Sequence, residues 1–219
     1  MRPERILLIR HGKSEGNADR KRLESVPDYA LNLTPEGLEQ ARLAGREISR
    51  LIGDETLQVY LSPYYRTRQT YQQISESIAG NVVRVFEDLR LREQDWGHLR
   101  ELELNEQIKQ ERSKFGHFYF RIPDGESGAD VYDRVSTFLE TLHRDFEKPD
   151  YPKNVLIVTH GMTLRLFLMR WFHWSVEEFE ALRNPGNCQI VVMQKQEGER
   201  YALNAELVRR QGPIRTDEN

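Results

Sequence analysis

The sequence predicts an α/β protein of three layers, α/β/α, around a mostly parallel sheet. Two observations carry this. Apolar runs at residues 6–9 (ILLI) and 155–158 (VLIV) read as strands buried on both faces, and stretches with apolar residues at helical spacing lie between the strands. Both runs also end in His-Gly, at the carboxyl ends where open α/β sheets bind their ligands.

Each element has its own local reason. Residues 5–10 form the first strand. A long helix follows a loop: Thr34 is its N-cap, Pro35 takes the first helical position, and Leu38, Ala41, Leu43, Ile48, Leu51 and Ile52 share one face before Gly53-Asp54 ends it. Gln58 to Leu61 is a second strand, Ser62-Pro63 a turn, and a helix runs from about Tyr64 to Ala79. Gly80-Asn81 then punctuates the chain before a third strand, VVRVF, at 82–86. Residues 87–127 are charged and irregular, with a short helix near 103–112 and a turn at Pro123-Asp124-Gly125. Ser127 to about Glu147 is helical, with Val131, Val135, Phe138, Leu139 and Leu142 as its apolar stripe, closed by Pro149 and Pro152. A fourth strand at 155–159, an apolar helix from Met162 to Phe172 and a short helix near 176–182 follow. The segments 188–195 and 200–207 read as strands joined by a tight turn at Glu197-Gly198. One domain over 1–210 and a disordered tail at 211–219 are expected.

Composition narrows the function. The chain has 219 residues, 38% apolar and 31% charged, with a net charge of −3 and its basic residues scattered, which argues against a nucleic-acid partner. No apolar run approaches the roughly 20 residues that span a bilayer, and Met1-Arg2-Pro3 leads directly into a strand, so neither membrane nor secretion is expected and a cytoplasmic location is. The single cysteine, Cys188, forms no internal disulfide and reads as a buried thiol.

Arg10 directly follows a buried run and needs an anion, from a carboxylate or a ligand. Arg10-His11-Gly12, the block SPYYRTRQT at 62–70 and Thr159-His160-Gly161 all fall at strand ends, so two histidines and at least two arginines meet at one sheet edge. That set suits a tetrahedral phosphate: guanidinium groups bind its oxygens in bidentate fashion, and a neutral imidazole nitrogen can attack phosphorus. Flanking arginines keep that nitrogen unprotonated. The sequence holds no HExxH, Walker loop or carboxylate cage, so no metal or other cofactor is expected.

Arg10-His11-Gly12 with Ser14 and Asn17, then LTPEG, SPYYRTRQT and THG, in that order, resembles the histidine phosphatase superfamily, which includes cofactor-dependent phosphoglycerate mutases and many phosphatases. The resemblance implies a phosphoglycerate mutase-like fold and assigns roles. His11 is the nucleophile that becomes phosphorylated, and Arg10, Arg66 and His160 complete the phosphate pocket. Ser14, Asn17 and the backbone at Gly161 are expected to bind substrate. In LREQDWGHL, 91–99, Glu93 matches the family's general acid, with Asp95 as its rival. The stretch 100–126 lacks the Arg-Arg pair and Pro-rich insertion that mutases carry, and PDGES at 123–127 looks like the phosphatase branches, so a phosphomonoester phosphatase is favoured. Segments 113–135 and 159–174 resemble broad-range acid phosphatases and mutase-like proteins of fungi and plants. The alternatives are a mutase, a phosphoprotein phosphatase and a non-catalytic phospholigand-binding relative.

A phosphorylated small molecule is the expected partner, and the oligomeric state, monomer or homodimer, stays open. Arg121 is a further candidate substrate contact, with pairing to Asp124 or Glu126 as the alternative. Phe115, Phe118, Tyr119 and Phe120 form either a wall of the pocket or a plug onto the core. Trp171, His173 and Trp174 are expected to pack, and Lys13 to stay solvated or tune the pocket mouth.

Overall fold

A computed structural model describes residues 2–97 and 101–210, apart from the Leu102 side chain; the expected tail at 211–219 lies outside the described residues. β1 (Arg5–Arg10) leads into two short helices, α1 (Glu15–Ala18) and α2 (Arg22–Ser25), which no sequence period announced. One turn of helix is too short to show a 3.6-residue repeat. α3 (Pro35–Ile52) starts where expected: Thr34 Oγ1 accepts from Gly37 N at 3.1 Å, with Pro35 in the first turn. β2 (Leu57–Leu61), α4 (Tyr65–Ile78) and β3 (Val82–Glu87) follow.

α5 (Leu102–Phe115) is longer than the short helix expected there. α6 (Gly128–Phe146) is capped by a reciprocal pair, Ser127 Oγ with Asp130 N and Asp130 Oδ2 with Ser127 N. β4 (Asn154–Thr159), α7 (Gly161–Phe172), α8 (Val176–Glu180), β5 (Ile190–Lys195) and β6 (Tyr201–Asn204) complete the described chain.

The strands form one sheet in the order β3-β2-β4-β1-β5-β6. The first four are mutually parallel; β5 pairs antiparallel with β1, and β6 antiparallel with β5, so β5 alone runs against the others, which matches the mostly parallel sheet expected. β1 alternates its side chains between two cores, as a strand must. Ile6 and Leu8 join Val155, Ile157, Phe138 and Phe167 under α6 and α7. Leu7 and Ile9 join Leu156, Val158, Ile48 and Ile74 under α3 and α4. β3 is the exception: it forms an edge, and Val83 and Val85 are about half exposed. No described helix is long and apolar enough to cross a membrane.

β4 enters the sheet between β1 and β2, with Arg10 paired to Thr159. The residues after those two are His11 and His160. The carboxyl ends of β1, β4 and β2 therefore lie side by side, and the loops that leave them build the site.

Candidate active site

His11 follows β1, and its N–H donates to Thr159 O at 3.0 Å, so the ladder holds its backbone one residue beyond the strand. The ring is 4% exposed, with Nδ1 2.8 Å from its neighbour's carbonyl, Gly12 O. A carbonyl only accepts, so Nδ1 carries the proton and Nε2 keeps its lone pair. Burial, then the charges of Arg66 and Arg10, push the His11 pKa well below the ordinary histidine value. A neutral imidazole with its tautomer fixed by the backbone is the form that can attack phosphorus.

The block after β2 is spent almost residue by residue on this site. Ser62 Oγ lies 2.8 Å from His160 Nε2, and Thr67 Oγ1 donates to Ser62 O at 2.7 Å. Thr70 Oγ1 accepts from Gly12 N at 3.0 Å, and Gln69 Oε1 accepts from Leu33 N at 2.7 Å. Arg66 is 4% exposed and grips Asp28 as a fork: Nη1 and Nη2 lie 3.1 Å from the two carboxylate oxygens, and Nη1 also donates to Asp28 O at 2.5 Å. Asp28 is a partner that sequence reasoning missed; it begins a single 3-10 turn, Asp28–Ala30, 38 residues away, where neither period nor motif marks it.

His160 is fully buried, its ring 5.2 Å from that of His11 and 5.0 Å from that of Tyr64. Burial, then Arg66 and His11, lower its pKa well below the usual value. Its Nδ1 and the Nε of Arg10 are buried without a hydrogen-bond partner, and an anion's oxygens would satisfy such groups. Arg10 anchors its other end on Pro185 O at 2.8 Å.

Arg10, His11, Ser14, Asn17, Arg66 and Glu93 line one cavity of about 220 Å³. Asp28, Leu23, Leu31 and Trp96 also line it, with Arg20, Asn105 and Lys109, none of them foreseen as site residues. Ser14 and Asn17 cap each other at the start of α1, Ser14 N donating to Asn17 Oδ1 at 3.2 Å and Asn17 N to Ser14 Oγ at 3.3 Å. Glu93 lies at the amino end of α7, its carboxylate accepting from Met162 N at 3.3 Å, Thr163 N at 3.4 Å and Thr163 Oγ1 at 3.3 Å. Its rival Asp95 is exposed, is absent from this cavity, and accepts from Gly97 N at 2.8 Å.

Three residues expected at the phosphate do not line the cavity: His160, fully buried with its ring against that of His11, and two substrate contacts. Arg121 is solvent-exposed; it pairs with Asp130 at 2.7 Å and donates to Gly125 O at 3.1 Å, because the amino end of α6 presents Asp130 to it. Gly161 does not line the cavity either, and its α-carbon faces the Asn184 side chain, which an added Cβ would meet at 2.7 Å.

The aromatic segment is no wall of this cavity. Phe118 packs on Tyr132 and Phe179, while Phe115 and Tyr119 face solvent. Lys13 pairs with Glu36 at 2.6 Å. Cys188, expected as a buried thiol, is only partly buried, and that burial still pushes its thiol up to about 12. Among the described residues no cluster of His, Cys, Asp or Glu is arranged to hold a metal ion.

Comparison with known proteins gives a consistent result. A family model described as the histidine phosphatase superfamily (branch 1) matches residues 6–206. Phosphoglycerate mutase-like protein AT74 of Arabidopsis thaliana is 45% identical over 214 residues, taking in 92% of this chain and 68% of that protein. Broad-range acid phosphatase DET1 of Saccharomyces cerevisiae is 30% identical over an alignment of 300 residues, taking in 94% of this chain and 90% of that one. Among solved structures, a mycobacterial glucosyl-3-phosphoglycerate phosphatase superposes with a TM-score of 0.71 at 22% identity, covering 92% of this chain and 97% of that one. A mycobacterial hydrolase superposes at 0.75 with 20% identity, covering 94% and 99%. These two likenesses speak to the fold alone.

Proposed function

Because this chain belongs to the histidine phosphatase superfamily, we propose that it hydrolyses phosphomonoesters through a phosphohistidine formed on His11. The observation that carries this reading is the state of His11: neutral, with Nδ1 committed to Gly12 O and Nε2 free, inside a cavity that also holds Arg10, Arg66 and Glu93.

The steps follow from those groups. The guanidiniums of Arg10 and Arg66 take the phosphate oxygens and offset their charge. His11 Nε2 attacks phosphorus, the P–N bond forms, and the ester P–O bond breaks. The leaving alkoxide takes its proton from Glu93, which enters this step protonated. Glu93, now a carboxylate, takes a proton from water. The resulting hydroxide attacks the phosphohistidine, the P–N bond breaks, and inorganic phosphate leaves with His11 neutral again. His160, buried against His11, supplies a polar nitrogen to the transferring oxygens, with its ring held by Ser62.

Hydrolysis is favoured over mutase chemistry because 100–126 carries no Arg-Arg pair to hold a second substrate anion. The relatives DET1, a broad-range acid phosphatase by name, and AT74, mutase-like by name, bracket the same two options.

The test is His11→Ala. Turnover of p-nitrophenyl phosphate should fall by about 10³-fold or more, and the acid-labile phosphoenzyme trapped by rapid quench should vanish, with the far-ultraviolet circular dichroism unchanged. Excess EDTA should leave the wild-type rate as it was. Rates like those of the wild type in H11A, or loss of activity in EDTA, would overturn the proposal. Conversion of 3-phosphoglycerate to 2-phosphoglycerate faster than release of phosphate would select the mutase instead.

A further inference from the structure

The stretch that carries Glu93 has no regular secondary structure from Arg92 to Gly97, yet a general acid has to start from a fixed backbone. Two residues outside the cavity hold it, and both come from the PDGES turn and the helix that follows. Arg134, on α6, donates to Arg90 O at 2.6 Å and to Glu93 O at 3.1 Å, and its Nε and Nη2 grip Glu126 at 3.0 Å each. Glu126 in turn accepts from Asp95 N at 3.0 Å and from Arg92 at 2.5 Å. Its own backbone closes the register, Glu126 N donating to Asp95 O at 2.9 Å and Gln94 Nε2 to Glu126 O at 2.7 Å. The carbonyl on Glu93 and the main chain on either side of it are thus tied to one partly buried ion pair.

Shape supports the same conclusion independently. A Cβ on Gly97 would come within 2.3 Å of Pro123 O, and a Cβ on Gly125 within 2.5 Å of Asp95 O. The acid-bearing loop and the PDGES turn therefore touch backbone to backbone, an approach that side chains would prevent. Burial works against the charge of Glu126, but the bonds from Arg134 and Asp95 N, with Arg92 nearby, outweigh it and hold its carboxyl below the ordinary range.

We infer that Glu126 and Arg134 are positioning residues for the general acid: their ion pair fixes the main chain at Glu93 so that its carboxyl meets the leaving-group oxygen. The inference rests on Glu93 as the acid of the reaction proposed above. It gives the PDGES motif a mechanical task, that of a jig for the acid loop. A misplacement of about 1 Å at a reacting group can cost about 10²-fold in rate.

The experiment compares kcat/KM for an alkyl phosphate, whose alkoxide needs a proton, with that for p-nitrophenyl phosphate, whose leaving group does not. The enzymes are the wild type, Glu93→Gln, Glu126→Gln, Arg134→Lys and Arg134→Gln. The ratio of the two constants is independent of the concentration of active enzyme, so partial unfolding cannot imitate the effect, and E126Q keeps the shape and an accepting oxygen. E93Q should lower the ratio most. E126Q and R134Q should lower it by about 10-fold or more, and R134K, which keeps the charge but loses the fork, should follow them. If E93Q is selective but E126Q and both Arg134 variants slow the two substrates equally, or slow neither, the inference is overturned and the phosphatase reading stands. If E93Q itself slows both equally, the acid assignment falls and takes the inference with it. A wild-type enzyme that hydrolyses neither ester removes both.

Discussion

At His11 two effects act in the same direction. Burial disfavours the imidazolium, and two guanidiniums repel it, so the folded protein holds this ring neutral at a pH where the unfolded chain would protonate it. His160 is lowered in the same way. The consequence for stability has a definite sign. Below about 6.5 the unfolded state takes up protons that the native state refuses, so stability falls as the pH drops from there toward the depressed native pKa. Each such histidine contributes a slope of up to about 1.4 kcal/mol per pH unit. Urea unfolding at pH 7.5, 6.5 and 5.5 checks this. The stability gap between wild type and His11→Gln should move in favour of the variant by about 1 kcal/mol per pH unit below 6.5. Parallel losses in the two proteins would mean that His11 is not held neutral by the fold. Arg66 shows a different resolution of buried charge: Asp28 gives it a carboxylate, so a guanidinium that is 4% exposed is not left unpaired.

The elements meet most tightly where α3 abuts the loop that carries His11. Thr34 Oγ1 donates to Lys13 O at 3.0 Å while it caps α3, so one side chain joins the helix start to the loop. Behind it the backbones nearly touch. A Cβ on Gly37 would lie 2.2 Å from Lys13 O, and one on Gly12 would lie 2.5 Å from Gly37 O. Gly37→Ala should therefore push the loop outward, costing about 1–3 kcal/mol in stability and about 10–100-fold in kcat/KM. Gly80→Ala is the control: nothing lies near its added Cβ, and its stability should be unchanged or slightly raised. Thermal unfolding and p-nitrophenyl phosphate kinetics on the two variants read both effects, and an active, stable G37A would refute the close approach. The LTPEG motif is in this light a fitting of helix to loop, its glycine set by contact with Lys13.

Across the whole molecule the sheet separates two apolar layers that share only its strands. Ile52, buried at the carboxyl end of α3, sits in the layer under α3 and α4, on the other face of the sheet from the helix that carries Arg134. Ile52→Ala should cost about 2–5 kcal/mol, read as a fall in the unfolding midpoint in urea. It should leave the ratio of alkyl to p-nitrophenyl phosphate hydrolysis as in the wild type, since the cavity is global in effect and not aimed at Glu93. A change in that ratio would show that the two layers are mechanically coupled to the acid.

Local pattern made much of this legible. The apolar runs ending in Arg10-His11-Gly12 and Thr159-His160-Gly161, the Thr34 and Ser127 helix starts and the late hairpin are decided by residues within a few positions of each other. Periods of 2 and 3.6 and capping chemistry are local by nature, so the sequence alone determined the element types and which of them end in reactive groups. It left open α1 and α2, the true length of α5, and the placement of Arg121, which side-chain type suggested for the pocket and which Asp130 holds outside it. Only the tertiary structure set β4 beside β1, bringing His11 to His160, Asp28 to Arg66, and the Glu126–Arg134 pair to the backbone of Glu93. Those contacts join residues tens of positions apart. They follow from how two layers close on one sheet, which periodicity does not encode.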